Sequence, residues 1–84
     1  MNNNSLLLNS VIQFGLGLMR QPNLSEFQFQ AWLSNSINVL SQITNNPMIM
    51  NNYLTVVATA NNNRSPVNRL SICLRYLIGI QSIV

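Results

Sequence analysis

The chain contains no histidine, no aspartate and no lysine, and it has one glutamate, Glu26, and one cysteine, Cys73. Acid–base catalysis needs a side chain that exchanges protons near neutral pH. Protein metal sites need clusters of histidine, cysteine or carboxylate ligands. The sequence cannot assemble either kind of site, so we expect a protein that is not an enzyme and uses no cofactor or metal.

Charge of both signs is scarce. Charged residues make up 6% of the chain, whereas soluble domains average about 25%. Asparagine, serine and glutamine take the polar positions instead, in runs such as Asn61 to Asn63. Because weakly charged surfaces repel one another little, this composition favours self-association.

The net charge of +3 comes from four arginines and Glu26. A single cysteine cannot form an internal disulfide, which is typical of a reducing compartment. The N-terminal residues lack the positive start of a secretory signal. No uninterrupted apolar run approaches the ~18 residues that a membrane-spanning helix needs. We therefore expect a cytoplasmic protein.

Turn signals separate four apolar segments, which predicts an all-α fold: a small bundle of about four short helices. We expect one helical domain over residues 1–84, either alone or as a domain of a longer protein. In the first segment apolar residues recur every three or four positions, as a helix requires. Asn4 or Ser5 is its candidate cap, and Gly15 and Gly17 either permit close helix approach or mark fraying.

The second segment carries the strongest local signals for a helix. Ser25 and Gln28 have the spacing of a capping box, and Leu24 and Phe29 that of the accompanying hydrophobic staple. Glu26 then lies in the first turn, where it complements the helix dipole. Trp32 belongs to the apolar stripe that follows, so we expect it in the core.

The third segment fits two structures. Pro47 suits the first position of a helix, whereas residues 53–60 alternate and are rich in β-branched side chains, as in a strand. No other segment alternates, so a strand would have no partner, and we favour a helix with Tyr53 in the core.

The fourth segment begins with Ser65 as a cap and Pro66 at the first helical position. Its inner face comprises Leu70, Cys73, Leu74, Leu77 and Ile80. Cys73 has no histidine to activate it and is interpreted as a structural core residue. Further apolar residues, Ile72, Tyr76 and Ile83, lie outside that face and are our candidate interface.

Three arginines near the last helix, Arg64, Arg69 and Arg75, are candidate anion-binding residues, since guanidinium groups bind phosphate or carboxylate in a bidentate way. However, Arg69 and Arg75 lie about 120° apart around a helix with ~100° per residue, so they do not share one face. Nucleic acid is therefore not a favoured partner.

We expect a non-enzymatic protein–protein interaction or adaptor module that self-associates or docks on a protein partner through its first or last helix. The first alternative is a membrane-surface protein, although the polar faces carry amides where interfacial helices carry lysine and arginine. The second alternative is a small nucleic-acid-binding regulatory protein.

Overall fold

A computed structural model describes the backbone of residues 3–83 and the side chains of residues 4–83; residues 1, 2 and 84 lie outside that range. The described residues form four helices and no strand: α1 (Asn3–Met19), α2 (Glu26–Ile43), α3 (Pro47–Ala60) and α4 (Pro66–Ile80). The predicted all-α bundle of four short helices is confirmed.

Helices α2 to α4 begin where the sequence predicts. The Ser25 hydroxyl accepts from the Gln28 N–H at 3.0 Å, and the Gln28 side chain accepts from the Ser25 N–H at 3.1 Å, which completes the capping box. Asn46 caps α3 through the Met48 N–H at 2.9 Å. Ser65 caps α4, with Pro66 following at its first position. Residues 53–60 are helical, so the choice of helix over strand is confirmed.

The start of α1 differs from the prediction, and the end of α2 lies on extended backbone. Asn4 and Ser5 lie inside α1 and do not cap it. The Asn4 side chain instead donates to the carbonyl oxygen of Ile43 at 3.1 Å, across the end of α2. Helix α2 ends on extended backbone at Thr44, and no non-glycine residue of the described chain adopts a left-handed conformation. The Asn4 side chain therefore bonds to a backbone carbonyl at the end of α2 and does not cap its own helix.

Helices α2 and α4 each contact the other three helices, and the contacts of α4 are the more extensive, so α4 is the central element. Helices α1 and α2 are antiparallel, as the bond from Asn4 to the far end of α2 requires. Helix α3 lies mainly against α4, where the Tyr53 and Tyr76 rings stack with centroids 5.6 Å apart. A central α4 explains why its sequence is apolar around most of the helix.

The predicted inner face of α4 is buried throughout. Trp32 and Tyr53 are core residues, as expected, and Phe29 is completely buried. The remaining buried hydrophobic residues come from α1, α2, α3 and the turn before α2: Leu8, Val11, Ile12, Leu18, Leu24, Leu33, Leu40, Ile43 and Ala60. One continuous core therefore runs through the bundle.

Candidate functional site

A groove opens between α1 and α2 on the surface of the bundle. Its volume is about 330 Å³, and no residue of α3 or α4 lines it. The lining residues are mostly apolar, and none is charged: Phe14, Leu18, Phe27, Gln28, Ala31, Trp32 and Asn35. An apolar concave surface with a few amide groups has the general composition of a binding site.

The floor of the groove is formed by Trp32, which is buried, hydrogen-bonded and closely packed. Trp32 is 2% exposed, and its indole N–H donates to the carbonyl oxygen of Val11 at 3.0 Å. On the side of the ring toward α4, Gly15 lets α1 approach closely. A Cβ at Gly15 would lie 3.0 Å from the indole nitrogen and 2.8 Å from Leu74 Cδ2. Gly15 therefore permits the close approach that was one of its two predicted roles.

Two phenyl rings stand at the margins of the groove. Phe14 on α1 is 65% exposed, and Phe27 on α2 is 82% exposed. Burial of a phenylalanine side chain is worth about 1.5–3 kcal/mol, so the free chain forgoes a favourable contribution at each position. The fold of a single chain therefore leaves most of the apolar surface of Phe14 and Phe27 uncovered.

Glu26 does more than complement the dipole of α2. Its carboxylate forms a bidentate ion pair with Arg69 of α4, with 2.8 Å between Arg69 Nη1 and Glu26 Oε2, and it also accepts from Gln30. These bonds, Arg69 first, lower the pKa of Glu26 from 4.5 to about 2. The Arg69 guanidinium lies over the Phe29 ring, 5.0 Å from its centroid.

The candidate anion-binding arginines differ in environment. Arg69 is buried against Glu26 and Phe29. Arg64 is exposed and contributes only its backbone carbonyl near Arg69, at 3.5 Å, and Arg75 is exposed on α4. Because Arg69 is already neutralised by Glu26, an anion would compete with that carboxylate for it. Binding of an anion at these arginines stays a prediction.

The candidate interface on α4 is partly covered by α3. The Tyr76 hydroxyl donates to the carbonyl oxygen of Ile49 at 2.9 Å, and Tyr76 and Ile72 are half-buried against the core. Ile83 is 68% exposed and lies in the turn after α4, so it does not continue the helix face of Ile72 and Tyr76. Our sequence interpretation underestimated how much of this face α3 covers, because the contact depends on how α3 folds back. Contact of these residues with a partner stays a prediction.

Cys73 is completely buried, in agreement with a structural role. Burial raises the pKa of its thiol to about 11, so it is protonated at neutral pH. Nearby, the Tyr53 hydroxyl bonds to Ser36 Oγ at 2.7 Å, and burial raises the pKa of Tyr53 as well. These groups are satisfied parts of the core and present no reactive atom to solvent.

The exposure of Phe27 could have been inferred from the sequence. At ~100° per residue Phe27 lies about 200° from Phe29, on the side of α2 opposite the apolar stripe. A large aromatic residue on a polar helix face indicates an interaction surface, but our sequence-based candidate interface did not include Phe27. The groove itself could not be found this way, because it also needs the position of α1.

Among the described residues, no helix combines the length and apolar character needed to cross a membrane. No protein-family model matches the chain, and no curated protein and no solved structure is significantly similar to it.

Proposed function

We propose that the protein is a non-enzymatic interaction module that binds a protein surface through the groove between α1 and α2. The observation that carries this proposal is the exposure of Phe14 and Phe27 beside an apolar groove. Exposed apolar patches on small proteins commonly mark interaction sites. Aromatic residues are also the usual anchors of protein–protein interfaces.

The arrangement suits an apolar side chain presented by a protein helix or by an extended segment. Recognition in which an apolar helix face enters a groove relies on such pockets, with specificity added by a few polar contacts. Here Gln28 and Asn35 supply those polar contacts, and the groove supplies no charge for a charged ligand. The free Cys73 thiol fits a reducing compartment, so the cytoplasm is the proposed setting.

The test compares proteins retained from a lysate of the source organism by immobilised wild type and by a Phe27→Ser variant. We expect at least one component, including the chain itself, to be retained by wild type and lost with the variant. The reason is that Phe27, the more exposed of the two groove phenylalanines, should contribute strongly to binding as an aromatic anchor.

Met48→Ser is the matched control, because Met48 is also a large exposed side chain but lies on α3, outside the groove. This variant should retain the same components as wild type. If Phe27→Ser and Met48→Ser retain the same set of proteins as wild type, the groove is not the binding surface and the proposal is wrong.

A further inference from the structure

We infer that the occupant of the groove is a second copy of this chain, in a twofold-symmetric dimer in which Phe27 of each copy enters the groove of the other. This inference rests on the proposed function, because it names the partner of that same groove. It follows from the shape, the size and the charge of the surface.

The surface is self-complementary in shape. A twofold interface brings the same patch of both subunits together, so the patch must be complementary to itself, and a projection beside a recess meets that requirement. Phe27 projects from the start of α2 with 82% of its surface exposed, and the recess begins beside it. The small side chain of Ala31, one turn later on α2, leaves the recess open.

The recess is large enough for an aromatic ring. Its volume is about 330 Å³, whereas a buried apolar cavity of ~150 Å³ is sufficient to bind benzene. The ring would meet Phe14 and Leu18 of α1 and Trp32 at the floor of the groove. Offset or edge-to-face contacts with Phe14 and Trp32 would add to the burial of apolar area.

The charges of the surface favour a copy over a charged partner. No lining residue is charged, and the neighbouring Glu26 is already bound to Arg69 within the same chain. A partner with a charge at this surface would lose hydration and find no counter-charge. A second copy brings only the amides of Gln28 and Asn35, which are donors and acceptors at once and can bond to one another.

The experiment measures the mass of the purified chain by sedimentation equilibrium across a concentration series, together with the fluorescence of Trp32. Trp32 is the only tryptophan and lines the groove, so its emission reports what enters the groove. We expect a monomer–dimer equilibrium, and a change in Trp32 emission with the same midpoint. Phe27→Ser should weaken the dimer at least about 30-fold, the effect of an interface anchor.

Two further variants make the result specific. Met48→Ser should dimerise like wild type. Ala31→Gln, which places a longer side chain in the recess, should also weaken the dimer, and both groove variants should keep wild-type helicity by circular dichroism. If Phe27→Ser loses helicity, its dimer affinity does not test the inference, and the dimer affinity of Ala31→Gln tests it instead.

A chain that stays monomeric up to about 1 mM overturns the inference. The inference is also wrong if the dimer affinity is unchanged in both Phe27→Ser and Ala31→Gln. It is equally wrong if the chain is a monomer that binds phospholipid vesicles through Phe27. A monomeric chain that still retains a groove-dependent partner from the lysate would disprove the dimer and leave the proposed function standing. If the chain neither dimerises nor retains a groove-dependent partner from the lysate, both the dimer and the proposed function are wrong.

Discussion

The two sides of the contact between α1 and α2 differ sharply. On the side toward α4, Gly15, Trp32 and Leu74 approach so closely that a single added methyl group would collide. On the other side, Phe14 and Phe27 stand exposed around a groove. The same two helices thus make a tightly packed seam and an open surface.

Residues next to each other in the chain fall on opposite sides of this contact. Gly15 is buried and Phe14 beside it is exposed, and Glu26 binds α4 while Phe27 beside it projects into solvent. A rotation of ~100° per residue is enough to separate them. The difference shows that apolar character alone does not identify core positions, because only one side of the contact has a third helix to cover it.

The largest expected effect tests the role of Trp32 in the tightly packed seam. Trp32→Ala should lower the free energy of unfolding by about 3–5 kcal/mol, through lost burial and the cavity that remains. Phe27→Ser should change the free energy of unfolding by no more than about 0.5 kcal/mol, because Phe27 lies on the exposed side of the same helix. Urea unfolding followed by circular dichroism measures both. Equal losses in the two variants would contradict the contrast between the sides.

The two glycines of α1 provide a smaller, internally controlled test. Replacing either glycine with alanine stabilises the helix by about 1 kcal/mol through helix propensity. A Cβ at Gly15 would contact Trp32 and Leu74, whereas nothing lies within 4 Å of a Cβ at Gly17. Overpacking at a tight site costs about 1–3 kcal/mol. Gly17→Ala should therefore be more stable than wild type, and Gly15→Ala should be about 1–3 kcal/mol less stable than Gly17→Ala. Similar unfolding midpoints for both variants would show that the seam can relax.

The third test concerns the ion pair that ties the start of α2 to α4. The pKa of Glu26 is lowered from 4.5 to about 2 in the folded chain, first by Arg69. The carboxylate is charged in both states above its ordinary pKa, so its contribution is complete there and is lost as the pH falls toward 2. We expect the melting temperature to fall over this range, and Glu26→Gln to be less stable than wild type at about pH 7.

In Glu26→Gln the acid-dependent decrease should be reduced, and the two melting temperatures should converge at low pH. Glu26 is the only acidic side chain of the chain, so no other carboxylate side chain can produce the same pH dependence. A wild-type melting temperature that is constant between about pH 5 and pH 2 would show that the pair adds nothing to stability.

Local signals in the sequence predicted much of the fold but little of the candidate site. The start signals Ser25, Pro47 and Ser65 act within a few residues of their own position, so they can be recognised without knowing the fold. Phe14 is one of the apolar residues of α1, yet it is 65% exposed. Its exposure depends on where α2 and α4 pack against α1, and no local pattern contains that information.

The sequence by itself determined that the chain is helical, where three of its helices begin, and which face of α4 is buried. These properties follow from backbone capping and from hydrophobic periodicity, which act over one or two turns. Only the tertiary structure decided that Glu26 binds Arg69 and that Gly15 lies against Trp32 while Gly17 faces open space. It also decided that Phe14 and Phe27 border one groove. These contacts join different helices, so they depend on the relative positions of elements that are distant in the chain.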